Sequence, residues 1–322
     1  MFCSQPFYQI EIYENGDVFT CCPSFLDYFS IGNIYKNSFD EIWNGEKAQR
    51  LRNKMLSGDL SCCSDGCFRK TFHEEKSDKY AAIVHEYPTE ISVSTDNGCN
   101  IACKICRDSN FPKPQKDFEE EINNLWLPIF KNAKNIRFGC SGEPFASLKE
   151  KFLIKQIAQT YPSAKFQFHT NGILGTKELL EELNVFDKIE IMTVSLHSAT
   201  KPTYEKVING GNFEKVQQNL ALYSEMKKSG LIKFFRLIFV VYSENYEDME
   251  NFVALADKLG AEAQFWAYRT NDTEIGRNYE KYAIFEKSHP DYKKLEKILK
   301  SDIFGAPNVV LYPELKAIRE GS

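Results

Sequence analysis

The sequence predicts an α/β chain: a partial (β/α)6 barrel preceded by a small cysteine-rich α+β domain. Three observations predict it. From Thr89 onward, strand-like and helix-like segments alternate, with the hydrophobic period switching between 2 and 3.6. The ten cysteines are placed unevenly: nine fall in residues 1–106, the tenth is Cys140, and the last 182 residues contain none. The 322 residues are 43% hydrophobic and 26% charged, a globular mix with material for about two domains.

Taken in order, Glu11-Ile12-Tyr13 and Val18-Phe19-Thr20 flank Glu14-Asn15-Gly16-Asp17, a hairpin signal because Asn-Gly tolerates the positive φ of a tight turn. A helix is expected over 38–57, ending at Gly58, and closes a first domain over residues 1–70. The charged stretch 71–88 reads as a linker. The core spans 89–270, with strands at 91–95, 135–139, 165–169, 188–196, 234–242 and 263–268. Helices are expected at 116–133, 147–160, 176–183, 213–229 and 246–259. Repeated β/α units imply a parallel sheet with right-handed crossovers, and six units fit a partial barrel better than the eight of a closed one. Residues 271–322 read as a C-terminal helical extension.

Forty basic against 45 acidic residues give a net charge of −5, and a pI of about 5.7 offers no footprint for nucleic acid. No apolar run approaches the roughly 20 residues of a membrane span. Met1 leads into Phe2-Cys3-Ser4-Gln5, without the basic start and apolar run of a secretory signal, so a cytoplasmic protein is expected. In a reducing compartment the cysteines are ligands rather than disulfides.

Cys99, Cys103 and Cys106 form C-x3-C-x2-C just after the first core strand. Three thiolates on one loop hold three corners of a [4Fe–4S] cluster and leave the fourth iron for a small molecule. An open metal position marks a catalytic site rather than a structural one. Zinc is the alternative; it would want a fourth ligand, and the closest histidines in sequence, His73 and His85, lie upstream of the strand.

With these cysteines the chain resembles the radical SAM superfamily, and further motifs agree. Cys140-Ser141-Gly142-Glu143-Pro144 after the second strand is similar to the family's Gly-Gly-Glu-Pro. His169-Thr170-Asn171-Gly172 resembles its Thr-Asn-Gly turn, and Val194-Ser195-Leu196-His197 its Val-Ser-Leu/Ile-Asp. The run Tyr204–Val216 also resembles the family. The resemblance covers residues 89–270 and implies a TIM-like partial barrel holding a [4Fe–4S] cluster and S-adenosylmethionine (SAM). It implies one-electron cleavage of SAM to a 5′-deoxyadenosyl radical that abstracts hydrogen from substrate, with the cofactor carrying the difficult chemistry. Glu143 would accept charge-assisted bonds from the methionyl ammonium, and Gly142 would let backbone approach. Ser141 completes that motif; Thr170, Asn171 and Ser195 would bond ribose hydroxyls and carboxylate. Ile105 replaces the usual aromatic before the third cysteine. Ile208 stands where relatives carry an arginine for the SAM carboxylate, so Arg236 on the fifth strand is the substitute candidate, with pairing to a structural acid as its alternative. His197 replaces the usual Asp: it is either a substrate or proton-transfer group or a packing histidine. Cys140 is either a hydrogen-atom donor or a small residue filling the strand end.

Cys3, Gly16 and Cys21 fit C-x12-G-x4-C on the hairpin, followed by Gly32-Asn33 and Cys62-Cys63-Ser64-Asp65-Gly66-Cys67. This order resembles a SPASM-type auxiliary cluster domain, placed before the core rather than after it. It implies a second [4Fe–4S] cluster held by Cys3, Cys21, Cys67 and one of Cys62 or Cys63, with Cys22 a neighbour and zinc the alternative.

The resemblance thus implies a radical SAM enzyme with an electron donor such as flavodoxin or ferredoxin, and no nucleic acid or membrane partner. Oxidation or epimerisation of a small molecule or carbohydrate is the leading expectation. Modification of a peptide, or maturation of a partner protein, is the alternative. A non-catalytic iron–sulfur or zinc-binding protein is the alternative of another class.

Overall fold

The computed structural model describes residues 1–26, 29–64, 67, 70, 75–106, 117–269 and 274–321. Asp65, Gly66 and His73 lie outside them. Contacts divide the described chain into two compact units. Residues 1–97, 117–166 and 183–185 form the first; residues 98–106, 167–182 and 186–321 form the second.

In the first unit, β1 (Gln9–Ile12) and β2 (Asp17–Phe19) form the expected hairpin, and β3 (Gly32–Asn33) pairs with β2. Gly16 sits at φ +82°, and a Cβ there would lie 2.3 Å from the Tyr35 ring; both facts require glycine. The hairpin does not stand apart. β1 pairs in parallel with β4 (Glu90–Val93) in the register Gln9↔Glu90 to Ile12↔Val93, and β4 pairs in parallel with β6 (Asn135–Phe138). The strand order β3-β2-β1-β4-β6 leads to the start of β7 (Lys165–Thr170).

Two helical expectations change here. The helix over 38–57 is two helices, Phe39–Trp43 and Glu46–Ser57. A side chain at Gly45 would come within 2.3 Å of the Glu41 carbonyl, so this glycine starts the second helix where the first has ended. The helix over 116–133 begins as α (Glu119–Glu121), widens to π (Ile122–Trp126) and tightens to 3₁₀ (Leu127–Asn132). Pro128 lacks the N–H of a continuing α-helix and crowds the preceding turn.

In the second unit the parallel order β7-β8-β10-β11-β12 joins β7 to β8 (Ile189–Ser195), β10 (Phe234–Val241), β11 (Glu262–Ala267) and β12 (Val309–Leu311). Helices Phe213–Lys228 and Met249–Leu259 cover one face, where Phe239, Phe252 and Phe265 meet edge-on or tilted. Along β10, Phe235, Leu237, Phe239 and Val241 are buried on one face, and Ile238 is buried on the other between the half-buried Arg236 and Val240. The C-terminal extension is not purely helical, because it supplies β12. A small two-stranded ribbon pairs β5 (Ala102–Cys103) with β9 (Ile208–Asn209).

Candidate active site

The cysteine triplet lies in the second unit on a loop pinned from both sides. Cys103 pairs with Ile208 in the β5–β9 ribbon, the Lys104 N–H donates to the Val207 carbonyl at 3.2 Å, and the Lys104 ammonium meets Glu244 at 2.9 Å. Cys99 and Cys103 are half-buried and Cys106 is exposed. Ile208 is buried as a strand residue behind Cys103, which accounts for an apolar side chain at that position.

The turn after β7 reaches this loop through Asn171. Its Nδ2 donates to Cys99 Sγ at 3.6 Å and to Asn100 Oδ1 at 2.8 Å, while its Oδ1 accepts from the Ile173 N–H at 3.0 Å. Thr170 Oγ1 accepts from the Gly172 N–H at 3.1 Å. Gly172 has φ +81°, and a Cβ there would press on Val194 at 2.9 Å. Asn219 Nδ2 donates to the Gly172 and Ile173 carbonyls. These local bonds of Thr170 and Asn171 fix the turn and tie it to the Cys99 sulfur. Asn100 and Asn219 were not singled out in the sequence.

Beside the loop, the C-terminal ends of β7, β8, β10 and β11 line an open cavity of about 380 Å³. Ile105, Ile238, Val240 and Trp266 give it apolar walls, and His169, Ser195, His197, Tyr268 and Arg269 give it polar ones. His169 Nε2 and Ser195 Oγ are 2.6 Å apart. Ser195 is therefore at the cavity; Arg236 is not. Its Nε lies 3.5 Å from Oε1 of Glu262, its cross-strand neighbour, two residues before Ile238. This pairing with Glu262 is the alternative that the sequence offered for Arg236. His197 is buried, and burial first, then the neighbouring His169 charge, depress its pKa to about 3.

In the first unit, the Ser141 N–H donates to Ser94 Oγ at 2.9 Å and Gly142 has φ +75°. Glu143 is 3% exposed and accepts from the Phe145 N–H at 3.3 Å. Glu150 is a second buried acid near it. Ser147 Oγ accepts from the Glu150 N–H at 3.2 Å, the spacing of a helix cap. Its carboxylate instead turns inward and accepts from the Thr95 N–H at 3.1 Å. Burial raises its pKa well above the usual range, and the Asp96 and Glu143 charges add to this. Cys140 lies just past the end of β6 and is exposed.

All six N-terminal cysteines belong to the first unit. Cys3, Cys21, Cys62 and Cys63 pack against the apolar cluster of Phe2, Phe7, Leu26, Leu51 and Met55. Burial, the Glu11 charge and the neighbouring thiols Cys67, Cys22 and Cys3 push Cys21 up to about 12. The hydrogen bond between Cys62 and Cys63 lowers Cys62 to about 7 and raises Cys63, which Cys67 and Cys3 raise further. None of the ten cysteines is in a disulfide.

Gathered thiols that disfavour one another's ionisation fit a cationic cluster, whose binding displaces their protons. Among the described residues, no three His, Cys, Asp or Glu side chains converge on a single ion site. A cubane cluster asks for something different, since each thiolate takes its own iron.

The family model of the SPASM iron–sulfur cluster-binding domain matches residues 3–69, and that of the radical SAM superfamily matches residues 93–256. A search of curated proteins finds no match. Among solved structures the chain is similar to Streptococcus suis SuiB bound to the precursor peptide SuiA, at 13% identity and a TM-score of 0.49, covering 98% of this chain and 74% of that one. It is also similar to SuiB bound to SAM, at 16% and 0.46, covering 84% and 62%. A third similarity is to the apo form of the cobalamin-dependent SAM radical enzyme OxsB, at 17% and 0.34, covering 79% and 39%. The radical SAM match implies a [4Fe–4S] cluster and SAM as cofactors, and the SPASM match implies auxiliary iron–sulfur binding. By that match over half of its length, the chain belongs to the radical SAM superfamily, with its SPASM domain ahead of the radical SAM domain.

Proposed function

We propose that this enzyme binds SAM between the triplet loop and the cavity and removes a hydrogen atom from an organic substrate admitted there. When bound, the cluster and SAM supply a one-electron cleavage that yields a 5′-deoxyadenosyl radical. The chain's own residues do the rest. Cys99, Cys103 and Cys106 hold three irons, and Asn171 steadies Cys99. Glu143 accepts the methionyl ammonium, Gly142 gives backbone access beside it, and Ser141 anchors that turn through Ser94. Ser195, with His169, offers hydroxyl and imidazole to the ribose. The apolar walls Ile105, Ile238 and Trp266 suit a purine face and exclude water from it. Cys3, Cys21, Cys67 and one of Cys62 or Cys63 hold the auxiliary cluster.

The observation that carries the reading is the bond from Asn171 to Cys99, because it ties the Thr-Asn-Gly turn to the triplet beside a nucleoside-sized cavity. For the net reaction we propose oxidation or epimerisation of a small molecule or carbohydrate, with peptide modification or partner-protein maturation as the competing outcome. A flavodoxin or ferredoxin would deliver the electron, in the cytoplasm.

Anaerobic reconstitution tests it. About eight irons per chain are expected from two cubane clusters, and SAM with dithionite should give 5′-deoxyadenosine. Replacing Glu143 by Ala should weaken SAM binding with iron retained. Near-zero iron with stoichiometric zinc would overturn the enzyme reading. Product analysis with sugar and peptide substrates separates the two substrate classes.

A further inference from the structure

We propose that His197 recognises the adenosyl group of SAM through a neutral Nε2–H donor presented to the cavity. This rests on the cavity being the site of that group, as proposed above. His197 is one of three non-glycine residues at positive φ among those described, at +58°; the others are Asp117 and Asn184. It is held there on every side. Its N–H donates to the Ile238 carbonyl at 3.1 Å, its carbonyl accepts from Asn245 Nδ2 at 3.0 Å, and its Nδ1 accepts from the Val240 N–H at 3.2 Å.

The last bond fixes the chemistry. A ring nitrogen that accepts from a backbone N–H carries no proton, so the single proton of the neutral imidazole is on Nε2. Nε2 has no hydrogen-bond partner among the described residues. The side chain is only 6% exposed, and it lines the cavity beside Ile105, Ser195 and Trp266. Presented at a largely apolar wall, this donor favours a ligand that brings an acceptor to it, and a nucleoside offers ring nitrogens and ribose oxygens. An ionised carboxylate at this position would offer the cavity only acceptors, whereas the neutral imidazole offers a donor.

The test uses the reconstituted holoprotein with S-adenosylhomocysteine, which is not cleaved, as the probe in calorimetry. H197D should bind about tenfold more weakly, the loss of one hydrogen bond plus an opposed acceptor, while H197Q, which keeps both an acceptor and a donor, should stay within about threefold. Iron content and circular dichroism show that each variant is folded. In ¹⁵N-histidine spectra the Nε2–H tautomer of His197 should be present without ligand, and its resonance should move when the probe is added. Equal affinity for wild type and H197D, or an Nε2 resonance that does not respond, overturns the assignment. A change confined to substrate turnover also overturns it, by transferring the contact to the substrate. No binding to wild type would refute the proposed function itself; binding that ignores position 197 would refute only this inference.

Discussion

Acidification should destabilise the protein through His197, by an amount the structure sets. The folded pKa is about 3, because burial disfavours the cation and the neighbouring His169 charge adds to it. In the unfolded chain a histidine titrates near 6.5. The neutral ring is therefore favoured by folding. Its contribution is complete above about pH 6.5 and is lost as pH falls towards 3. Between pH 7.5 and 5.5 the unfolded chain gains nearly one proton at this site and the folded chain gains none, which amounts to about 1.4 kcal/mol. Glu150, whose pKa is raised by burial, works in the opposite sense, so wild type alone does not isolate the effect. The comparison is thermal unfolding of wild type and H197Q holoprotein at both pH values. The glutamine has no titrating group, whereas clusters and carboxylates are common to both. Wild type should lose about 4 °C more than H197Q on acidification, taking the usual conversion for domains of this size. Equal losses would refute the reasoning, and would mean that His197 is solvated or that its Nδ1 is not held by Val240.

Glu150 gives the mirror case: its raised pKa favours folding while protonated, and that stability is lost as pH rises through the folded pKa. E150Q, which copies the neutral acid, should melt above wild type at pH 8 and level with it near pH 5; a lower melting point at pH 8 would contradict a protonated Glu150. N171L removes the donor to Cys99 and should release triplet-bound iron to a chelator about tenfold faster, as expected when an outer-shell partner of a metal ligand is lost; release at the wild-type rate would leave Asn171 a turn residue only. Replacing Cys67 by Ala should lower iron from about eight to about four per chain while SAM cleavage by dithionite persists. Retention of eight irons would remove Cys67 from the auxiliary site.

What was legible in the sequence is what depends on local pattern. The six core strands fall where strand-like segments predict them, because alternation such as Ile91-Ser92-Val93-Ser94-Thr95 and an apolar run such as Phe234–Tyr242 are both written residue by residue. Helix ends marked by Gly58 and Gly260 are legible for the same reason, since both adopt positive φ. The losses come from partners distant in sequence. Arg236 looks like an unassigned cation until the β10–β11 register sets it beside Glu262. Ser147 and Glu150 have the spacing of an exposed capping box, and only the strand end at Thr95 shows why the carboxylate turns inward. Asn171 and Cys99 are 72 residues apart, so their bond has no local signature.

The position of the SPASM segment ahead of the core left open how its cysteines could be fixed relative to the radical SAM strands. Strand pairing answers this within the first unit. β1 follows Cys3 by six residues, the hairpin returns through β2 to Cys21, and β1 itself lies in parallel register on β4. Glu11 pairs with Ser92, and Ser92 with Arg137, so one row of side chains runs from the auxiliary hairpin onto β6, which ends beside Cys140 and the Ser141–Glu143 turn. The electrostatics follow the same row: the Glu11 charge acts on both Cys21 and Cys140. An N-terminal auxiliary domain therefore needs no flexible tether to be positioned. Its hairpin is an edge of the core sheet, and a strand edge is a stiffer connection than a linker because every backbone bond in the ladder opposes displacement.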